Sequence, residues 1–448
     1  MEKRPILIRN GLLLDRTNPW FMHQVDILII NDKINDIGPN IEKNDAEIIE
    51  AHDMIIMPGL VNAHIHVWQA GLHGVAGNWS LSDYFEKMLD TLGCEFTPED
   101  MYLANLCGAL EQLDAGVTCL LDWCNNINGL DYAESALKGL EDSGIRAVFT
   151  YGTPGIDAAK WWFNSSERHS HDAVEFLKKH HSQAEGRIQM GLALRGPDFT
   201  TNEVFVSDIQ LARDLNVLAS MHIGVGLAKL GVKKIHEAGL LDSRINFVHG
   251  NNLTLEEYQM IADHGASLSI TPEVEMQMGH GFPATGKLLQ AGGEPALGTD
   301  IPSNISGNLF AQLRFALQTQ RALDNQTLLD SGSGVNGIGL SCDQALEWIT
   351  INSAKALHLD KLIGKIAKDM KADLILINLK DINLWPVHNP LQSILFYAER
   401  HNVDTVIVDG KIAKRQGKLV YPGLNKLKEK LVESSTRIVR NAKLLGNN

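Results

Sequence analysis

Five residues combine a reactive side chain with a telling position. His64 and His66 close the apolar run IIMPGLVNAHIH (55–66), and His222 closes LASMHIG (218–224). His249 closes INFVHG (245–250), and Asp300 ends EPALGTD (294–300). Alternate residues of a strand point to the same side, so the imidazoles of His64 and His66 face one site. Imidazole nitrogens and a carboxylate suit a borderline divalent metal such as zinc or iron. One histidine at the end of an apolar run is ordinarily a hydrogen-bonded core residue. Five such residues, ending four separate runs, are hard to assign to packing alone.

The elements that must position them follow from the texture of the chain. The runs VTCLLDW (117–123), IRAVFTYG (145–152), IQMGLAL (188–194) and ASLSIT (266–271) join the four above to make eight. Helix-length amphipathic segments separate them. Near-continuous apolar strands joined by helices read as a parallel sheet buried on both faces, and eight such units fit a (β/α)8 barrel. In a barrel the reactive residues sit at the C-terminal ends of the strands, where these five lie. A doubly wound open sheet is the alternative, but no GxGxxG follows the first strand. The two ends read differently. Residues 1–58 and 365–425 carry short alternating strands with turn signals such as Asp409-Gly410. The expected organisation is an α/β chain: a TIM barrel over 59–364, a small β-sandwich domain built from both termini (1–58 plus 365–425), and a helical tail over 426–448.

Composition narrows the function. The 448 residues are 44% apolar and 21% charged, an ordinary globular balance. A net charge of −14 argues against a nucleic-acid or anionic-membrane partner, since both need a basic face. No run approaches the roughly 20 apolar residues of a membrane-spanning helix. The first residues, MEKRPILIRNGLLLDRT, lack the pattern of a secretory signal. The five cysteines (Cys94, Cys107, Cys119, Cys124 and Cys342) form no CxxC pair, so neither a disulfide framework nor a thiolate zinc site is expected. A cytoplasmic location is the expectation.

PGLVNAHIH, followed by MHIG, FVHG and LGTD, resembles the amidohydrolase superfamily, in the branch of S-adenosylhomocysteine, guanine and cytosine aminohydrolases and the triazine hydrolases. The resemblance spans nearly the whole chain, including the lead-in LLQAGGEPALGTD (288–300). It implies that His64, His66, His222 and Asp300 hold one divalent metal ion, zinc or iron. Asp300 would also take the proton of a metal-activated water. His249 would ligate, or bond to that water or to the substrate's leaving side. The fourth strand, IQMGLALRGP, has no lysine to bridge a second metal. The implied function is hydrolytic attack on an amidine-like or C–N carbon of a small nitrogen heterocycle, with deamination first and cyclic-amide hydrolysis as the alternative. A catalytically silent binding protein is the remaining class. A homo-oligomer is common among proteins this chain resembles.

The chain departs from that pattern at two places. The glutamate expected three residues after the fifth-strand histidine is Val225 here. After the seventh strand the Pro-Glu-Ser-Asn-like stretch of related sequences reads Thr271-Pro272-Glu273-Val274-Glu275, with Glu275 where an asparagine is common and His280 where a small residue is common. Glu275 or Glu273 with His280 is therefore expected to supply the missing acid–base function. For substrate binding the candidates are Gln69, His73 and Trp79 in the loop after the first strand, with Trp68 beside them, and Arg195 after the fourth. Trp123, Asn125 and Asn126 follow the second strand, and Trp161 and Trp162 the third. Ser303 and Asn304 are expected to orient Asp300. His169, His171, His180 and His181 read as helix-surface residues, and Lys426, Lys428, Glu429 and Lys430 as a solvated face.

Overall fold

Runs rich in Val, Ile, Leu and Cys bury both faces, and eight of them pair in parallel. The computed structural model describes residues 4–14, 23–181 and 186–443. Five strands open the chain: β1 (Ile6–Leu13), β2 (His23–Ile30), β3 (Lys33–Gly38), β4 (Glu47–Glu50) and β5 (Met54–Pro58). The parallel set follows: β6 (Leu60–Ile65), β7 (Val117–Cys124), β8 (Arg146–Tyr151), β9 (Ile188–Leu194), β10 (Leu218–Ile223), β11 (Ile245–His249), β12 (Ser267–Ile270) and β13 (Pro295–Leu297). Four strands close it: β14 (Leu374–Asn378), β15 (Val403–Val408), β16 (Lys411–Arg415) and β17 (Lys418–Leu419).

Strands β6 to β13 pair in sequence order, with helices between successive strands. All eight residues of β7 are buried, as a strand covered on both faces requires. The two end strands meet across the remaining gap. Thr299 N donates to His64 O at 3.1 Å and His66 N to Asp300 O at 2.8 Å, and Ile65 bridges Asp300. Gly298 permits that approach. A Cβ there would lie 2.6 Å from the His64 carbonyl oxygen. The expected eight-stranded barrel is therefore present. Its helices begin where capping chemistry allows: Thr97 and Asp100 form a reciprocal box with Pro98 at the first position of Pro98–Asp114.

The two ends combine as expected, into a single nine-stranded sheet in the order β17-β16-β15-β14-β5-β1-β2-β3, with β4 on β1. The sheet bends over its own core of Ile8, Ile27, Ile29, Ile56, Leu374 and Ile407. The first half of β1 pairs with β4 and its last residues with β5. The tail forms helix Leu424–Ala442, with Lys426, Lys428, Glu429 and Lys430 exposed. Its other face packs on Pro98–Asp114, and Ser435 Oγ donates to Gly71 O at 2.6 Å. Residues 1–3, 15–22 and 444–448, which belong to the expected terminal segments, lie outside the described residues. All five cysteines are free thiols. No helix among the described residues is long and apolar enough to cross a membrane.

Candidate functional site

The barrel delivers the predicted donors to one point. Ligand atoms of His64, His66, His222 and Asp300 all lie within 4.8 Å of one another. His64 Nε2 is 3.2 Å and His66 Nε2 3.5 Å from Asp300 Oδ1. Asp300 and His249 both take a left-handed backbone (φ 62° and 73°), which turns the chain sharply at the strand end. This region is sparsely used by residues other than glycine, and its use at a site is strain held by the surrounding fold.

These residues suit a divalent ion. Ligands at about 2.1 Å from a tetrahedral metal stand roughly 3.4 Å apart, close to the two imidazole–carboxylate distances above. His66 Nδ1 donates to Asn125 Oδ1 at 2.9 Å, which leaves the lone pair of Nε2 for the point shared by the donor set. Burial, reinforced by neighbouring imidazoles, pushes His66 down to about 3 and His222 well below its ordinary value. The neutral imidazole is the ligating form. Asp300 moves in the anionic direction. Burial would raise its carboxyl, but the bond from His64 and the charges of His249, His64 and His66 hold it well below the carboxylate range. The Nδ1 atoms of His64 and His222 are buried without a protein partner.

His249 stands beside the donor set, with Nε2 4.0 Å from Asp300 Oδ2. Glu275 lies behind it and does not face the cavity. His249 Nδ1 donates to Glu275 Oε1 at 3.3 Å, and the same oxygen accepts from Thr271 N at 2.8 Å. Asn251 Nδ2 donates to Glu275 Oε2 at 3.1 Å. Burial opposes a charge on His249, but the bond to Glu275 and the carboxylates of Asp300 and Glu275 raise its pKa. His280 does face the cavity, its ring 4.9 Å edge-on to His249 and both nitrogens unpartnered. Burial and then His249 push it down to about 3, so it is neutral at pH 7. Glu273 accepts from Gln312 Nε2 at 2.8 Å, outside the cavity.

The other expected contacts divide sharply. A cavity opens beside the donor set. Trp162, Asn125 and Val225 line it; Gln69, His73, Trp79 and Arg195 do not. Gln69 is buried one layer out, donating to Tyr84 Oη at 2.7 Å and accepting from Ser303 Oγ at 2.7 Å. The His73 side chain is 55% exposed and donates to Glu111. Trp79 lies under Lys87, 5.7 Å from its ring centre. Arg195 is wholly buried and donates to Trp161 O, Ser165 Oγ and Glu167 O, so it braces the loop after β8. Trp161 stacks on that guanidinium at 5.0 Å. Ser303 and Asn304 hold the loop after β6 rather than Asp300, with Asn304 Nδ2 donating to Ala76 O at 2.8 Å.

Trp68 Nε1 donates to Asn125 Oδ1, and Trp123 packs 4.4 Å from the His222 ring. Asn126 is buried away from the cavity and bonds Met101 Sδ. His169 is no surface residue. Its side chain is 1% exposed and 4.0 Å from Asp208, because it precedes helix His171–His181 and tucks under it. His171 and His180 are exposed as expected, and His181 is half-buried against Glu141.

Sequence reasoning missed Asp122 and, apart from Trp162, the aromatic wall. Asp122 Oδ1 accepts from Val67 N at 3.1 Å and so holds the chain just past His66. Burial pushes its pKa up to about 7. Tyr84, Phe85 and Leu89 come from the wide-turned helix Tyr84–Leu92, and Phe199 from the segment after β9. The Tyr-Phe pair in SLSDYFEKML was the available signal.

Residues 55–413 match the amidohydrolase family. The chain is 29% identical over 438 residues to a 5-methylthioadenosine/S-adenosylhomocysteine deaminase of Carboxydothermus hydrogenoformans, covering 94% of this chain and 96% of that protein. It is 30% identical over 463 residues to a 5'-deoxyadenosine deaminase of Methanobrevibacter smithii, covering 97% and 100%. In fold it superposes on a zinc-bound adenosine deaminase from Xanthomonas campestris with a TM-score of 0.82, at 22% identity and 97% and 98% coverage. A zinc-bound atrazine chlorohydrolase from Arthrobacter aurescens gives 0.82 at 22% identity, covering 96% and 100%. A match that runs from β5 to β16, across the whole barrel that assembles the donor set, makes this chain a member of the amidohydrolase family.

Proposed function

We propose that this amidohydrolase is a metal-dependent aminohydrolase that replaces an amino group on an electron-poor carbon of a small, purine-like heterocycle with oxygen. One observation carries the reading: His64, His66, His222 and Asp300 converge on one point, and His66, His222 and Asp300 of that set line a largely apolar cavity. Relatives named as deaminases support loss of an amine.

His64, His66, His222 and Asp300 would hold one zinc ion, which would supply Lewis acidity and lower the pKa of a water toward neutral. Zinc in both solved neighbours supports the choice of metal, and the absence of a lysine at the end of β9 supports a single ion. Asp300 accepts the proton of the attacking water. His249, braced by Glu275 behind Nδ1, carries a proton through Nε2 to the departing nitrogen. Val225 offers no carboxylate to the ring, so the free nitrogens of His280 meet the ring nitrogens and fix the ring's orientation. Trp162 and Phe85 exclude water from the ring faces. We also expect a homo-oligomer in the reducing cytoplasm, a compartment suited to five free thiols.

The test is ammonia release from zinc-loaded protein offered aminopurines, pterins, aminopyrimidines and aminotriazines. At least one should be deaminated, and Asp300→Asn should abolish the release. No ammonia across the panel, with zinc bound, overturns deamination and leaves cyclic-amide hydrolysis as the reading to assay.

A further inference from the structure

The polar groups lining the cavity are crowded at the metal end, and most are already engaged. Tyr84 Oη accepts from Gln69 and Asn125, and Asn125 Oδ1 accepts from His66 and Trp68. The remaining polar lining residues are the histidines already described and Asp300, the sole carboxylate on the wall. Apart from the Trp162 indole N–H the rest of the lining is apolar: Leu81, Leu89, Phe199, Val225, Met278 and Ile301 stand with Phe85. The aromatic side runs continuously outward from the donor set. Trp162 is 6.4 Å from the His222 ring, Phe199 5.2 Å from Trp162, and Phe85 5.6 Å from Trp162. Phe163, 63% exposed, extends it to the rim at 5.9 Å from Phe85.

A heterocycle whose reacting carbon meets the donor set must direct its substituent along this wall. A ribose there would bury hydroxyls among hydrocarbon and aromatic faces, with no carboxylate or amide to receive them. Each hydroxyl left without a partner weakens binding by about tenfold, whereas an alkyl or thioether group gains by leaving water. We infer that the site selects a flat aminated heterocycle carrying an uncharged apolar substituent, and that it discriminates against the ribosylated ring. The inference rests on the aminohydrolase reading for the ring and on the wall alone for the substituent.

Purine analogues without an amino group separate the two, because they can bind and cannot release ammonia. Affinities of 9-propylpurine and purine riboside for the zinc-loaded full chain are measured by calorimetry and by quenching of tryptophan fluorescence. The propyl compound should bind at least about 100-fold more tightly, the expectation when two or more of the three ribose hydroxyls are left unpaired. Equal affinities, tighter binding of the riboside, or no binding of either overturns the inference. Met278→Gln, close to isosteric, should narrow the ratio at least threefold while keeping its melting temperature. An unchanged ratio in that folded variant overturns the placement of the substituent on this wall. The aminohydrolase reading fails on a different result: 9-propyladenine releases no ammonia although the binding preference holds.

Discussion

Two buried polar clusters sit at opposite ends of the same barrel and are built in opposite ways. At the N-terminal end, Arg146 opens β8 and reaches the terminal sheet. It donates to both carboxylate oxygens of Asp373, at 2.8 and 3.0 Å, to Asp409 at 3.0 Å and to Gly186 O at 3.2 Å. Asp409 N completes Asp373 at 2.8 Å. At the C-terminal end, His64 Nδ1, His222 Nδ1 and both nitrogens of His280 have no protein partner, and His249 and Asp300 hold left-handed backbones. The first cluster pairs its charges within the protein and joins two sheets. The second leaves donors and acceptors unpaired around a cavity, an arrangement that destabilises a fold unless a ligand completes it. The contrast separates residues that hold the barrel from residues that use it.

Asp300→Asn should break the proposed catalytic cluster with the largest effect. We expect about a 10⁴-fold fall in kcat/KM and loss of bound zinc, with the melting temperature of the metal-free protein little changed. Retained turnover would erase the distinction between the two ends. Asp373→Asn is the reverse experiment. Removing one partner of a buried ion pair should destabilise the fold by about 3–5 kcal/mol in urea unfolding, with kcat/KM of the folded fraction within about twofold of the parent.

Buried His169 tests a third polar site, formed with Asp208 and Arg195. Burial first, and Arg195 as well, push its pKa down to about 4, against the opposing pull of Asp208. The folded value lies below the unfolded one, so stability is present above about pH 6.5 and declines as pH falls toward 4, by up to about 3 kcal/mol. His169→Gln should flatten that slope in melts between pH 7 and pH 4. An unchanged slope would assign the acid sensitivity elsewhere.

Glu275→Gln sharpens the description of the catalytic end. If Glu275 acts through His249, kcat should fall about 10- to 100-fold with KM within twofold, and its pH profile should shift. A change in KM alone would instead place Glu275 against substrate. The smallest effect belongs to His73→Ala, since the ring is largely exposed and points to Glu111. Its kcat/KM should stay within about twofold of the parent, and a tenfold loss would move the loop after β6 into the site.

The amino-acid sequence alone determined the eight apolar runs, the donors at their ends, the composite terminal sheet and the family. These are local features: strand burial requires continuous apolar residues, and a metal requires particular atoms on particular strand ends. It could not decide among residues near those ends, because loops set their directions. Gln69, Trp79 and Arg195 have the residue types of substrate contacts, yet each is turned away by a specific partner: Tyr84, Lys87 and the carbonyls around Glu167. Glu275 could be read as an acid facing the ring until Thr271 N and His249 were seen to claim the same oxygen. The apolar wall is likewise a tertiary product. Leu81 and Phe85, Trp162, Phe199 and Met278 come from four separate segments, and only the curvature of the closed barrel brings them around one cavity.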